Sequence, residues 1–242
     1  MQPPVLSDLL LEGELVRVRP VRPDDATTAF PLVHGVRPVL DWLVWQGPTD
    51  EAELRAAYGT WRAVTSNGAN YHFGVEALGT GELLGTASLR YVDHPHVGDL
   101  GYWLGAPYHG RGYGTELVAL LVHVGFELLG STALSAEVFP GNVGSVKVLE
   151  RNGFRLERRA AAAPPTAPGA RPDPHRPRDT YMAFRFDRPA RPAAPQAPGK
   201  ASGQSSGQAS GQASGQAPGQ ASAGSAPAAT PAVRPRVVQF EP

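Results

Sequence analysis

Tyr108-His109-Gly110-Arg111-Gly112-Tyr113-Gly114-Thr115-Glu116 is the stretch on which the reading of this chain turns. The apolar run before it, Leu100-Gly101-Tyr102-Trp103-Leu104, reads as a strand. After it, Leu117, Leu120, Leu121, Val124 and Leu128 recur at the spacing of a helix with one apolar face. A glycine-rich turn between a strand and a helix start is a physical device for holding phosphate. Glycines let the backbone come close without a Cβ, and the unpaired N–H groups of the first helical turn point at the anion. The same turn can also be a tight connection and nothing more, so a second signal has to agree.

The second signal is Asn142-Val143-Gly144-Ser145-Val146-Lys147-Val148-Leu149-Glu150-Arg151-Asn152-Gly153-Phe154, again a helix opening after a strand. Together the two motifs resemble the GNAT N-acetyltransferase superfamily, in its ribosomal-protein N-terminal acetyltransferase (RimJ/RimL-like) branch. The family's first motif, Gln/Arg-x-x-Gly-x-Gly/Ala, cradles the pyrophosphate of acetyl-CoA. Here it reads His109-Gly110-Arg111-Gly112-Tyr113-Gly114, so histidine departs from the pattern at the first position. The second motif is similar to the branch's Asn-x-x-Ser followed by Glu-x-x-Gly-Phe. The resemblance covers about residues 12–187.

Composition divides the chain into a folded front and a loose back. It has 242 residues, of which 41% are hydrophobic, with 25 prolines and 28 glycines concentrated late. From about Arg188 the composition changes, and Gly203 to Ser222 is a four-residue Gly-Gln-Ala-Ser repeat. Such a segment buries too little to offset its ordering entropy. We therefore expect a domain over 12–187 and a disordered Pro/Ala/Gly/Gln/Ser-rich tail over 188–242. Equal numbers of acidic and basic residues, 22 each, give no net field that would favour nucleic acid or an anionic membrane. There is no cysteine, which excludes disulfides, thiolate metal sites and a cysteine nucleophile. No apolar run approaches the ~20 residues of a membrane span, and the opening Met1-Gln2-Pro3-Pro4 lacks a signal-peptide pattern. The cytoplasm is the expected compartment, with the protein a monomer or homodimer.

Along the chain, Glu14–Arg19 alternates as a half-buried strand, and Pro23-Asp24-Asp25-Ala26 opens a helix. A helical segment over Asp50–Val64 follows. Trp42 and Trp45 either edge the core or, as the resemblance implies, border the acceptor site. Strands are expected at Tyr71–Leu78, Leu83–Val92 and Gly98–Gly105, with Gly79-Thr80-Gly81-Glu82 as a hairpin turn. The glycine-rich turn then opens a helix over Thr115–Leu129, closed by Gly130. A strand over Thr132–Phe139, a helix over Asn142–Asn152 and strands over Phe154–Arg158 and Thr180–Phe186 complete the domain, with a long proline-rich loop at Ala160–Arg178. His94 and His96 flank a proline with no third ligand nearby, so no metal site is expected. Periodicity alone gives an α/β (α+β) domain. The resemblance adds a GNAT-like, mixed, mostly antiparallel central sheet flanked by helices, whose parallel strands splay between Leu104 and Thr132.

What the resemblance implies for chemistry can be assigned residue by residue. The pantetheine arm of acetyl-CoA, the co-substrate, pairs with the backbone of Tyr102, Trp103 and Leu104. The loop from His109 through Gly110, Arg111, Gly112, Tyr113 and Gly114 to Thr115 holds the pyrophosphate, and Asn142 contacts the cofactor. The acceptor is a primary amine, either a protein N-terminus or a small amine such as an aminoglycoside. An amine near pKa ~8–10 is mostly protonated at neutral pH, so a base is useful. Asp99 stands where the branch commonly has Glu and is the expected base, directly or through a water. Many relatives place an acid tyrosine at the position of Leu149, which has no proton to give. Ser145, one turn after Asn142, is the expected partner of the sulfur. Both residues also suit plain helix capping. With no cysteine present, direct ternary-complex transfer is favoured. A non-catalytic acyl-CoA sensor is the alternative from another class.

Overall fold

Leu11–Glu12 (β1) and Val16–Pro20 (β2) begin the sheet as a tight antiparallel pair. In the computed structural model the described residues are 6–66, 68, 70–91, 94–160, 181–190 and 236–237. Helices Asp25–Val33 (α1), Arg37–Leu40 (α2) and Glu51–Ser66 (α3) follow, then strands Tyr71–Ala77 (β3), Leu83–Arg90 (β4) and Val97–Leu104 (β5). A 3-10 turn at Ala106–Tyr108 leads into helix Tyr113–His123 (α4), which continues as a π turn over Val124–Leu128. Ala133–Val138 (β6), Val143–Arg151 (α5), Arg155–Ala160 (β7), Tyr181–Asp187 (β8) and Arg236–Val237 (β9) complete the order.

The sheet runs β7-β8-β6-β5-β4-β3-β2-β1-β9. Among the described strands only β5 and β6 pair in parallel; the other pairs are antiparallel. Their parallel register holds Val97↔Ala133, Gly98↔Leu134 and Asp99↔Ser135 and then stops. Both strands run on, so beyond Asp99 the sheet opens between them, as the resemblance implied.

Two cores fill the two faces. The larger packs Leu117, Leu120 and Leu121 of α4 and Leu149 of α5 against Val75, Leu89, Leu100 and Leu134. The smaller, on the other face, joins Val21, Ala29 and Val33 near α1 to Leu54 and Tyr58 of α3 and Trp103 of β5. A buried carboxylate fixes α4 to the start of the sheet: Glu116 Oε1 accepts from the amides of Leu15 (2.7 Å) and Val16 (3.0 Å). Buried Arg19 is satisfied by Asp25 and Glu76, so the charge is paired rather than stranded.

The structure refines the expected elements in several places, and the short helix α2 is also additional to them. β1 was not foreseen, because a two-residue strand carries no period to read. The first strand starts at Val16, two residues later than expected. The helix after the glycine-rich loop begins at Tyr113 and ends in a π turn rather than running evenly to Leu129. Of the loop expected over Ala160–Arg178, Ala160 ends β7 and the rest lies outside the described residues. The tail also lies outside them apart from Arg188–Ala190 and Arg236–Val237. That last pair lies antiparallel on β1, with Leu11↔Val237 and Glu12↔Arg236, where an unpaired tail was expected. The edge of β1 offers unpaired backbone groups, and any short extended segment can satisfy them.

Candidate active site

Three elements converge where the sheet opens: the far half of β5, the loop into α4, and the start of α5. Their placement follows from local chemistry. Gly110 and Gly112 have φ of +75° and +87°, a left-handed backbone that side chains other than glycine adopt at a cost. Those conformations turn the chain sharply from β5 into α4. Among the described residues, the amides of Gly110, Arg111, Gly112, Tyr113 and Gly114 find no acceptor in the protein, whereas those of Thr115 and Glu116 bond Gly112 O. The loop is therefore a cradle of free N–H groups at the positive end of a helix, which fits a pyrophosphate.

Gly114 sits close to side chains of both α5 and β5. A Cβ there would stand 3.5 Å from Val148 Cγ2 and 3.8 Å from Leu104 Cδ1, in the gap between α5 and β5. His109, off the family pattern, clips the turn: its Nε2 lies 2.8 Å from Leu104 O, which requires a proton on that nitrogen. Tyr108 holds the loop from the other side by donating to Glu82 Oε1 at 2.6 Å.

At the start of α5, Asn142 caps the helix, with its Oδ1 accepting from the amide of Ser145 at 3.1 Å. The Ser145 hydroxyl in turn lies 3.1 Å from the hydroxyl of Tyr102. Tyr102 was singled out for its backbone; its side chain reaches across the opening to the serine. Trp103, its neighbour, turns to the opposite face and is buried in the smaller core. Leu149 is fully buried, as its type predicts.

Asp99 sits at the last paired position of β5, at the root of the opening. One of its oxygens is held by Arg90 of β4, directly across the strand pair. The structure also shows a carboxylate that sequence reasoning missed. Glu137 is on β6, two residues beyond Ser135, the partner of Asp99, and so projects on the same face. Glu137 is exposed on the strand, with its carboxyl partly desolvated; that desolvation and the nearby Asp99 charge push it up, opposed by a hydrogen bond from Tyr181 and by Arg90 and Arg158. An acidic residue two places beyond the paired register was the available signal, but it depends on knowing where β6 pairs. On the same side His72 stacks on Trp61, ring centroids 4.9 Å apart, and burial with Arg90 nearby pushes its imidazole down to about 4.

Trp45 packs on the smaller core, whereas Trp42 is 39% exposed and faces Gly141, just ahead of Asn142. His94 and His96 are exposed, and among the described residues no three His, Asp or Glu side chains converge as metal ligands. No described helix is long and apolar enough to cross a membrane.

A family model for the acetyltransferase (GNAT) domain matches residues 16–155, which span β2 to the start of β7 and contain the whole opening. The chain belongs to the GNAT acetyltransferase family. It is an acetyl-CoA-dependent N-acetyltransferase by that membership. Among curated proteins it is 29% identical to the "Probable N-acetyltransferase YjcK" of Bacillus subtilis over 153 residues, covering 61% of this chain and 84% of that one. The fold is shared with Mycobacterium smegmatis RimJ, solved with CoA-disulfide, at TM-score 0.62 and 23% identity, covering 77% of this chain and 90% of that one. It is also shared with the ribosomal-protein-S5-alanine acetyltransferase of Vibrio fischeri, at TM-score 0.59 and 20% identity, covering 74% and 97%.

Proposed function

We propose that this GNAT enzyme moves an acetyl group from acetyl-CoA to a primary amine, with a protein N-terminal α-amine as its acceptor, by direct transfer in a ternary complex. The observation that carries the reading is the opening beyond Asp99↔Ser135, with the amide cradle at one end and two carboxylates at its root. The resemblance of the fold to ribosomal-protein acetyltransferases supports a protein acceptor.

In this reading His109 to Thr115 hold the pyrophosphate and Asn142 lines the channel. The edge of β5 left by β6 at Tyr102, Trp103 and Leu104 binds the pantetheine arm as an added strand, short of the Leu104 carbonyl that His109 already holds. The amine nitrogen bonds the acetyl carbon, the carbon–sulfur bond breaks, and the electron pair stays on sulfur. The amine's proton leaves through the Asp99–Glu137 pair. Both carboxylates are held, Asp99 by Arg90 and Glu137 by Tyr181; in this reading Glu137 takes the proton, because the charge of Asp99 raises its affinity for it. Ser145 donates a hydrogen bond to the departing sulfur, which acquires its proton from solvent.

The test is a thiol-release screen of acetyl-CoA against N-terminal peptides and small amines. Turnover with peptides supports the reading. Turnover confined to small amines overturns the acceptor assignment, and no turnover with any amine makes the chain an acyl-CoA sensor.

A further inference from the structure

The hydrogen bond between Tyr102 and Ser145 joins residues 43 apart in sequence and spans the opening itself. Tyr102 lies on the β5 face shared with Leu100 and is fixed by packing against the larger core. Ser145 is fixed by its own amide, bound to Asn142. Two rigid groups therefore meet at 3.1 Å, and either hydroxyl can be the donor.

Which one donates decides what the serine can do. A hydroxyl has one proton and two acceptor lone pairs. If Ser145 gives its proton to the phenol, nothing remains for a third group. If the phenol gives its proton to Ser145, the serine proton is free to point elsewhere, and its donor strength rises by polarisation along the chain. Burial raises the phenol's pKa, against the effect of Ser145, so the phenol keeps its proton at working pH.

We propose that Tyr102 is a positioning residue that donates to Ser145 Oγ and so reserves the serine's only proton for the sulfur of the departing CoA. This rests on the role given to Ser145 above. No proton leaves the tyrosine. It supplies a polarising hydrogen bond while the carbon–sulfur electron pair settles on sulfur and solvent protonates the released thiolate. A tyrosine on β5 thereby lends its hydroxyl to the site although position 149 of α5 holds a leucine.

The experiment compares wild type, Tyr102→Phe, Ser145→Ala and the double variant at saturating acetyl-CoA, together with the thiol pKa of enzyme-bound CoA read by thiolate ultraviolet absorbance. Loss of one orienting hydrogen bond should lower kcat about tenfold in Tyr102→Phe, with the KM for acetyl-CoA within about twofold of wild type. The bound thiol, held below its usual ~8.5 in the wild type, should rise by about one unit in Tyr102→Phe. The double variant should be no worse than Ser145→Ala alone. Full kcat and an unmoved thiol pKa in Tyr102→Phe, beside an impaired Ser145→Ala, overturn the proposal and leave the serine assignment standing. Unimpaired Ser145→Ala overturns the assignment on which the proposal rests. 3-Fluorotyrosine placed at position 102 provides a second variant that retains the ring. A stronger phenol donor should lower the bound thiol pKa further, and no change counts against the proposal.

Discussion

Asn152 donates through its side-chain amide to the carbonyl of Thr115 at 3.0 Å and to that of Val148 at 2.8 Å. One buried residue at the end of α5 thus fixes the first turn of α4, and with it the phosphate cradle. The two motifs that stand apart in the sequence are held as one rigid unit by this contact. Asn152→Ala removes both side-chain bonds and the link between the two helices, and should cost about 1–3 kcal/mol. Calorimetry should show a fall in Tm of about 3–10 °C, with CoA affinity reduced in the remaining folded protein. An unchanged melting curve would refute the coupling.

The glycines of the loop should separate into two kinds. Gly110→Ala and Gly112→Ala force a side chain into a left-handed backbone and should lose stability, by about 1–2 kcal/mol each. At Gly112 the added Cβ also meets Leu15 Cδ1 at 3.3 Å. Gly114→Ala meets only ordinary contacts, so the fold should keep its Tm while the methyl crowds the loop proposed to hold the pyrophosphate. Titration calorimetry should show acetyl-CoA binding at least about tenfold weaker in Gly114→Ala. Wild-type affinity in that variant would move the cofactor elsewhere.

The two carboxylates make opposite predictions for turnover against pH. Turnover should fall as pH drops through the raised pKa of Glu137, because the protonated acid cannot accept from the amine. Glu137→Gln should lose about 10²–10⁴-fold. Asp99→Asn removes the like charge that helps raise Glu137, so the acid limb should move to lower pH with most of the plateau retained. If Asp99→Asn instead loses the plateau and Glu137→Gln keeps it, the base is Asp99.

His72 gives a pH dependence of stability rather than of catalysis. Its folded pKa of about 4 lies below the ordinary histidine value of 6.5. The unfolded chain therefore binds more protons between these values, and stability must fall as pH drops from about 6.5 to about 4. His72→Phe keeps a ring for Trp61 to stack on and removes the titration. Its Tm should be flatter across that window than that of the wild type, and identical slopes would assign the acid sensitivity to other groups.

The catalytic unit we propose, residues 12–187, is tested by removing Pro189–Pro242. Turnover should be unchanged, since every described residue of the opening comes from outside that segment. The truncated chain loses β9 and exposes the outer edge of β1, so Tm should fall by no more than a few degrees. Lost turnover would place part of the tail in the site.

The sequence by itself determined the elements whose information is local. A strand, a glycine-rich turn and an amphipathic helix are each written in neighbouring residues, and so is the cap formed by Asn142 on Ser145, three positions away. Those local signals carried the cradle, the family and the order of the main strands. The tertiary structure decided what depends on register. Asp99 was legible as a carboxylate on a strand, but its pairing with Arg90 exists only because β4 and β5 align those two residues. Glu137 was not legible as a site residue, because only the parallel register of β6 brings it up beside Asp99. Tyr102 was legible as strand backbone, and its hydroxyl found Ser145 only once α5 packed across the opening. A strand alternates its faces every residue, so a shift of one place in register would send each of these side chains to the other side of the sheet. That shift costs nothing in local sequence preference, and packing on both faces of the sheet is what settles it.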